Sequence, residues 1–330
     1  MVARAKKQSG SSSIPSHHLV VMIPAFNEEE TIAGVVKSIP SKIDGIAKIS
    51  ILVINDGSTD LTAQKARDAG AHVVSNDRNR GLAFTFRKGM ETALEMGADI
   101  IVNTDADNQY DQAEIPPLIR PILERRADMV LGSRFQGKIE SMSLKKRWGN
   151  RLATWIVGEV SGLAISDGQT GFRAFTHEAA LQLNLFSHFT YTKESLWEAA
   201  DKKLRVVEIP CTFRKRADKN RLFSGVWNYA SRAASTLLIG YVTYRPLRAF
   251  GIAGGTLILA GLIAGGYVLR HYTLTGLVSP HLPMAVLAVA LIIIGTQVAA
   301  LGLIGEAMKH QRLIQERMLY EMRKKRFEQK

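Results

Sequence analysis

The sequence predicts an α/β domain, built on a mostly parallel and doubly wound sheet, followed by two membrane-spanning helices. Short β-branched runs alternate with helical patterns over the first two thirds of the 330 residues, as in a parallel sheet. Clusters of polar residues directly follow these runs, where the carboxyl ends of parallel strands bind ligands. Two long uncharged runs near the carboxyl terminus are each long enough to cross a bilayer.

Five short strands are predicted in the amino-terminal half of the chain. Each is an apolar run bounded by polar or turn-forming residues. The first two are followed by a polar turn and a helical pattern, which is the opening of a βαβ unit. The residues predicted to be extended are 19–23, 49–54, 71–75, 100–104 and 129–131.

Apolar residues at helical spacing predict helices between these strands, including one over residues 82–96. Farther along, the pattern predicts a helix from residue 178 to residue 203, a strand over residues 204–209 and another strand around residues 212–214. From residue 222, a helical pattern with Trp, Tyr and Phe beside basic residues is typical of a helix in a membrane interface. A packed core helix is the alternative.

The polar clusters at residues 24–28, 55–60 and 105–109 should line one crevice, because each directly follows a predicted strand. In the third cluster, Asp105, Asp107 and Gln109 are spaced two apart, so an extended backbone would point their side chains the same way. Their oxygens suit a hard cation such as Mg²⁺ or Mn²⁺, which keeps few protein ligands and adds substrate phosphates. A solvated acidic turn is the alternative.

Other candidate site residues follow the fifth strand. Arg134 comes just after it and should lie on the same rim as the carboxylates. The basic run at residues 145–151 is either part of the site or a solvated helix start. Asp167 precedes a glycine-rich turn, which it could simply cap, or it could face the same pocket.

The formal net charge is +13, and residues 202–248 hold eleven Lys or Arg against two acids. Such clustering indicates contact with nucleic acid, anionic lipid or a phosphorylated substrate. Nucleic acid is disfavoured because the basic residues lie beside the apolar runs and lack interleaved aromatic side chains for stacking. The single cysteine, Cys211, excludes an internal disulfide, and we expect it to be a buried apolar side chain.

The two uncharged runs predict membrane spans at about residues 249–270 and 283–305, and basic residues flank the pair on both outer sides. The positive-inside rule then places the main domain and both termini in the cytoplasm. Gly251/Gly255 and Gly261/Gly265 have a spacing that lets helices approach closely, within one chain or between chains. The predicted regions are a disordered leader (1–18), a catalytic domain (19–221), an interfacial region (222–245), the membrane helices (246–306) and a basic tail (307–330).

Five segments together resemble family 2 inverting glycosyltransferases with the GT-A fold, over about residues 19–222. More narrowly, the set is similar to the polyprenyl-phosphate branch, the dolichyl-phosphate mannose and glucose synthases. Any one motif is weak evidence for this family, but five motifs in the family's order, followed by two predicted membrane helices, are specific for it. The motifs are PAFNE at 24–28, NDGSTD at 55–60, DADNQ at 105–109, GSR at 132–134 and DGQTGF at 167–172.

The resemblance implies a role for each matched residue. Four residues would hold the nucleoside of the donor, and Asn55 stands where many members have Asp. Asp105 would lie near the donor ribose and sugar and count as catalytic, while Asp107 and Gln109 would hold the metal. The four nucleoside-binding residues are Pro24, Ala25, Glu28 and Asp56, and Asp105 is the fifth donor-binding residue.

On the acceptor side, the resemblance implies that Arg134, Arg151 and Arg221 bind the acceptor phosphate. Arg221 stands where the family commonly has Lys, and the two side chains contact phosphate differently. Asp167 would lie near the reacting centre as a second catalytic residue, orienting an arginine or the sugar rather than removing a proton.

The resemblance further implies an enzyme that transfers a hexose from GDP-mannose or a UDP-hexose to a polyprenyl phosphate, such as dolichyl or undecaprenyl phosphate. Transfer would occur at the cytoplasmic membrane face, with inversion and with Mg²⁺ or Mn²⁺, and a homo-oligomer could form through the glycine-rich helices. Three alternatives are a processive polysaccharide synthase, whose usual Gln-x-x-Arg-Trp signature is absent, an enzyme that extends a lipid-linked glycan, and a non-catalytic scaffold.

Overall fold

The computed structural model of the chain describes residues 17–139, 144–185, 191–214, 235 and 238–328. They form two units. The first contains the sheet and consists of the described residues up to Thr154, those from Leu163 to Arg214, and those from Arg323 onward. The second contains Trp155–Gly162 and the long apolar helices up to Met322.

The first unit is built on a seven-stranded sheet with the order β3-β2-β1-β4-β6-β5-β7. All pairings are parallel except those of β6, which runs antiparallel to both β4 and β5. The strands are β1 His17–Ala25, β2 Ile46–Asn55, β3 His72–Ser75, β4 Ile100–Asn103, β5 Met129–Ser133, β6 Arg173–Thr176 and β7 Val206–Pro210.

Seven helices belong to or begin in the first unit. They are α1 Ile32–Ser38, α2 Thr62–Asp68, α3 Leu82–Glu95, α4 Ile115–Leu123, α5 Leu144–Ser161, α6 His177–Gln182 and α7 Tyr191–Asp201. A short 3₁₀ turn, Gln112–Glu114, precedes α4.

Strand β1, between β2 and β4, is buried on both faces, as expected for a strand between helical layers. Leu19, Val21 and Ile23 belong to the same apolar cluster as Val35 of α1. On the other face, Gly89 of α3 allows a close approach, because a Cβ there would lie 3.0 Å from the sulfur of Met22. Helices therefore pack on both sides of β1, as the predicted doubly wound sheet requires.

The five strands predicted in the amino-terminal half are confirmed, with ends that differ by a few residues. The predicted helix over residues 178–203 is wrong as one element, because α6 ends at Gln182 and α7 begins at Tyr191. Strand β6 was not predicted.

The strand expected around residues 212–214 is also wrong, since Phe213 makes only isolated bridges, to Tyr110 and Ile139. Residues 212–214 do not form a strand because the Glu114 side chain, and not a neighbouring strand, binds the backbone of Thr212. The Glu114 carboxylate accepts the backbone N–H of Thr212, at 2.8 Å for the closer oxygen.

Cys211 is buried, as expected, and burial raises the pKa of its thiol to about 12. Cβ atoms added at Gly132 or Gly137 would contact it closely. It therefore packs as a small apolar side chain in the core.

The second unit contains two helices that are long and apolar enough to cross a membrane, α8 Pro246–Thr275 and α9 Leu282–Glu328. Only 17% and 11% of their most apolar windows are buried, so they are not core helices of a soluble domain. Residues 238–244 are also helical. Most of the predicted interfacial region lies outside the described residues.

The two long helices approach each other at glycines, but not at all of those predicted. A Cβ at Gly254 would lie 2.5 Å from the carbonyl oxygen of Gly295, and one at Gly261 would lie 2.8 Å from that of Ala288. Gly251 and Gly255 have nothing within 4 Å. Of the two alternatives left open for Gly251 and Gly255, the contact within the chain is not formed, because helix rotation turns Gly254 toward α9 instead, and pairing between chains stays a prediction.

Replacing Gly254 with leucine should force α8 and α9 apart, because overpacking typically costs about 1–3 kcal/mol. We expect the thermal midpoint of the detergent-solubilised protein to fall by several degrees. The control is Gly255→Leu, one residue along the same helix in open space, which should leave the midpoint unchanged. Equal shifts for both variants would contradict the helix contact.

The last turns of α9 belong to the unit that contains the sheet. Arg323 donates to Oδ1 of Asn184 at 2.9 Å and lies 3.7 Å from a carboxylate oxygen of Glu91. Arg326 pairs with Glu95 at 2.7 Å. The predicted basic tail is therefore helical through Glu328, and two of its arginines bind acids of α3.

Candidate active site

The loops after β1 and β2 interlock through side-chain hydrogen bonds to backbone. The N–H of Asn27 donates to Oγ of Ser58 at 3.0 Å, and the Asn27 Oδ1 accepts the N–H of Thr59 at 2.9 Å. The N–H of Glu28 donates to Oγ1 of Thr62 at 2.8 Å. The structure thus brings together the first two polar clusters. Pro24 and Ala25 end β1, paired with Ile54 and Asn55.

Asp56 is buried, and its carboxylate organises the loop between β3 and α3. Its neighbour Gly57 has φ +68°, and a Cβ there would overlap the backbone of Arg78, so only glycine fits this approach. Asp56 therefore shapes the loop at residues 76–81, and its direct contact with a donor stays a prediction. The donors to Asp56 are Nδ2 of Asn76 at 2.7 Å and the backbone N–H groups of Arg80 and Gly81, each at 2.9 Å.

The predicted metal ligands lie in a tight turn after β4. Asp107 Oδ1 accepts the backbone N–H of Gln109 at 3.1 Å, and Asn108 between them has φ 59°. The Nε2 of Gln109 donates to the carbonyl of Arg214 at 3.4 Å, and this hydrogen bond orients the Gln109 side-chain amide. Carboxylate and amide oxygens are the ligands that hard divalent cations accept, so this donor set fits Mg²⁺ or Mn²⁺.

Asp105 lies against the glycine-rich turn that follows residue 166. A Cβ on Gly171 would lie 2.8 Å from Oδ1 of Asp105. The N–H of Gly171 donates to the Tyr110 hydroxyl at 3.1 Å, and its carbonyl accepts from Nδ2 of Asn103 at 2.6 Å. Gly171 is therefore fixed from both sides, and its missing side chain makes room for the Asp105 carboxylate.

Arg134 and Asp167 form a buried, two-pronged ion pair. Nε of Arg134 donates to one Asp167 oxygen at 2.6 Å and Nη2 donates to the other at 2.7 Å. The Asp167 carboxylate has no exposed surface, and the Arg134 side chain is 6% exposed. Burial by itself would lower the pKa of Arg134, but Tyr110 and Asp167 raise it overall. The Arg134 Nη1 makes no hydrogen bond to the described residues.

The ion pair indicates that Asp167 orients Arg134. Both of its oxygens are used by Arg134, and its backbone N–H donates to Oε1 of Glu208 at 2.9 Å. A carboxylate held in this way orients a cation and is poorly placed to remove a proton. The assignment of Asp167 as a catalytic residue stays a prediction, and the geometry favours an indirect role.

The two other predicted acceptor arginines are placed differently. Arg151 lies on α5 and is exposed. Arg221 lies outside the described residues.

Sequence reasoning missed Glu208, Gly171 and Arg173. Glu208 is the one charged residue of β7, and its Oε2 accepts the N–H of Ser166 at 2.8 Å. An acid in an otherwise apolar strand is a signal that could have been noticed. The roles of Gly171 and Arg173 depend on contacts between segments that are distant along the chain.

The chain matches the sequence model of one protein family, described as Glycosyl transferase family 2, over residues 20–184. The dolichyl-phosphate hexose transferase of Haloferax volcanii is 28% identical over 206 residues, covering 62% of this chain and 86% of that protein. The UDP-N-acetylglucosamine–dolichyl-phosphate N-acetylglucosaminyltransferase of Methanococcus voltae is 28% identical over 214 residues, covering 58% of this chain and 84% of that protein.

Among solved structures, glucosyl-3-phosphoglycerate synthase from Mycobacterium tuberculosis, in complex with Mn²⁺, UDP-glucose and phosphoglyceric acid, has the same fold. The TM-score is 0.54 at 21% identity, and the match covers 68% of this chain and 79% of that one. The predicted GT-A fold is thus confirmed. With the family match covering half of its length, the chain belongs to glycosyl transferase family 2.

Proposed function

We propose that the protein transfers a hexose from a nucleotide-diphosphate sugar to a polyprenyl phosphate at the cytoplasmic face of a membrane, with inversion at the anomeric carbon. One observation carries the proposal. The turn Asp167–Gly171 holds Arg134 at one end and lies against Asp105 at the other. Arg134, which would bind the acceptor phosphate, and Asp105, which would lie beside the donor, are therefore both in contact with one turn.

The loops at residues 24–28, 55–60 and 76–81 would bind the donor nucleoside. Asp56 and Asn27 connect these loops by hydrogen bonds to backbone, and we expect those bonds to hold the loops in place before a donor binds. A pre-organised pocket loses little entropy when it binds a ligand. The related transferases from Haloferax and Methanococcus are named for dolichyl-phosphate acceptors, which supports the acceptor class.

Asp107 and Gln109 would hold Mg²⁺ or Mn²⁺ against the donor diphosphate, with Asp105 beside the sugar. When bound, such an ion supplies Lewis-acid stabilisation of the charge that develops on the leaving diphosphate. The chain itself holds these two side chains in place. The Asp107 carboxylate accepts the Gln109 N–H, and the Arg214 carbonyl accepts from the Gln109 amide.

The acceptor phosphate is already ionised near neutral pH, so its oxygen needs no general base. Arg134 would orient it through Nη1, while Nε and Nη2 stay on Asp167. Charge-assisted hydrogen bonds of this kind are strong and directional. Holding the phosphate in line with the anomeric carbon, opposite the leaving group, supplies much of the acceleration and leads to inversion.

The helices α8 and α9 support a membrane location, since a polyprenyl chain stays in the bilayer. The loop between them has few charges, whereas Arg245, Arg248, Lys309 and Arg312 flank the pair on the other side. The positive-inside rule then places the sheet and both termini in the cytoplasm.

The direct test is a panel of radiolabelled GDP-mannose, UDP-glucose and UDP-N-acetylglucosamine with purified protein and polyprenyl monophosphate. We expect one label to enter an organic-extractable, mild-acid-labile product with a single β-linked sugar from an α-linked donor. Label found only in longer lipid-linked glycans or in a water-soluble polymer would contradict the proposal and favour an extending or processive enzyme.

A further inference from the structure

Arg173 is a buried charged residue for which the reaction described above has no use. It is the first residue of β6 and pairs with Asn103 at the end of β4 and with Leu131 of β5. Both neighbouring strands lead directly into the site, to Asp105 and to Arg134. The Arg173 side chain has no exposed surface.

All the hydrogen bonds of the Arg173 guanidinium go to neutral oxygens. Nε donates to the carbonyl of Thr170 at 2.8 Å, and Nη2 donates to the carbonyl of Gly168 at 3.2 Å. Nη1 donates to Oγ of Ser195 on α7 at 2.7 Å. Burial lowers the pKa of Arg173 to about 10, so the side chain is still a cation at neutral pH.

Burying a cation without a directly bonded carboxylate costs several kcal/mol. The fork shape of the guanidinium offsets this cost by binding two carbonyls of one turn and a helix hydroxyl at the same time. Ser195 is itself fixed, since its hydroxyl donates to the carbonyl of Tyr191 at 2.7 Å. The Arg173 guanidinium therefore connects the turn Asp167–Gly171 to α7.

The turn that Arg173 holds carries both halves of the candidate site. Asp167, at its start, binds Arg134 with both oxygens, and Gly171, at its end, makes room for Asp105. A displacement of the turn would therefore move the acceptor arginine and the donor-side carboxylate together.

We propose that Arg173 is a positioning residue: from the start of β6 it fixes the turn Asp167–Gly171, and through that turn it sets the placement of Asp105 and Arg134. This rests on the proposed function, since it assigns roles to both of those residues. Arg173 is closed off from substrate and acts only through its neighbours.

The test compares Arg173→Lys with wild type in single-turnover reactions, in which enzyme preloaded with labelled donor is mixed with saturating polyprenyl phosphate and excess unlabelled donor. The rate constant, unlike the amplitude, is independent of the fraction of folded enzyme. Lysine keeps the charge but cannot bridge both carbonyls as a fork. A misplacement of about 1 Å can cost about a hundredfold in rate, so we expect the rate constant to fall at least about tenfold. Donor affinity should change by less than about threefold.

The matched control is Arg205→Lys, the same substitution at an exposed arginine that pairs with Asp128, and its rate constant should equal that of wild type. Ser195→Ala removes the bond between Arg173 and α7 and leaves the two bonds of Arg173 to the turn, so we expect an intermediate loss. If Arg173→Lys yields no folded protein, a Ser195→Ala rate constant equal to that of wild type overturns the proposal.

A double-mutant cycle separates positioning from general stability. Gly171→Ala pushes on Asp105 from the same turn, so the Arg173→Lys and Gly171→Ala losses should be less than additive. Additive losses, or an Arg173→Lys variant with reduced amplitude and an unchanged rate constant, would overturn the proposal. If wild type used another acceptor, the proposed function would fail, and the same comparison would be made with that acceptor.

Discussion

Replacing Asp107 with alanine is expected to lower the rate of sugar transfer by about two to three orders of magnitude. The change removes a carboxylate from the turn that would hold the divalent ion, and Lewis-acid stabilisation of a leaving group is worth several kcal/mol. The affinity for Mn²⁺ in the presence of nucleoside diphosphate, measured by electron paramagnetic resonance, should fall in parallel. The fold should persist, because Asp107 is not a core side chain.

Asp44→Ala is the matched control for this prediction. Asp44 is an exposed aspartate in the turn before β2, at the opposite end of that strand from Asn55 and Asp56. The control should keep both the transfer rate and the Mn²⁺ affinity of wild type. A near wild-type transfer rate for Asp107→Ala would rule out its assignment as a metal ligand.

Changing Asp167 to asparagine should destabilise the protein as well as slow it. The substitution leaves the buried Arg134 cation without its counter-ion, and breaking a buried pair in this way typically costs about 3–5 kcal/mol. For a domain of this size, that corresponds to a fall of roughly 10 °C in the thermal midpoint. The KM for polyprenyl phosphate should rise more than the KM for the nucleotide sugar, since Arg134 loses its orientation.

The comparison for this variant is Asp128→Asn, which disrupts a second two-pronged Asp–Arg pair at the surface. The Arg205 partner there is 56% exposed, and exposed pairs contribute little to stability because solvent screens them. The midpoint should therefore barely move. Similar shifts for the two variants would show that burial of the Arg134–Asp167 pair adds nothing to stability.

The sequence allowed the strands β1 to β5 to be predicted because each combines an apolar run with a polar turn after it. Strand β6 gave no such signal. It has only four residues, begins with Arg173, and follows a glycine-rich motif that was interpreted as a turn. Its antiparallel place between β4 and β5 depends on pairing with strands distant in sequence, which local patterns do not specify.

In the candidate site, too, contacts between neighbours in the sequence were predictable, and contacts between distant segments were not. The proximity of Asp107 and Gln109 was predictable because they are neighbours in one turn, and their binding of a metal ion stays a prediction. The pairing of Arg134 with Asp167 joins residues 33 positions apart, so the sequence left the role of Asp167 open. The glycines of α8 show a similar limit, because the direction in which a glycine points depends on helix rotation.

In the proposed reaction, Arg134, held by Asp167, presents its remaining nitrogen to the acceptor phosphate beside the proposed metal site at Asp107. The most direct measurement is a structure of the protein with Mn²⁺, a nucleoside diphosphate and a short-chain polyprenyl phosphate. We predict a phosphate oxygen within hydrogen-bond distance of the Arg134 Nη1 and Mn²⁺ on Asp107 and Gln109. A phosphate bound elsewhere, with Arg134 contacting only Asp167, would contradict the account.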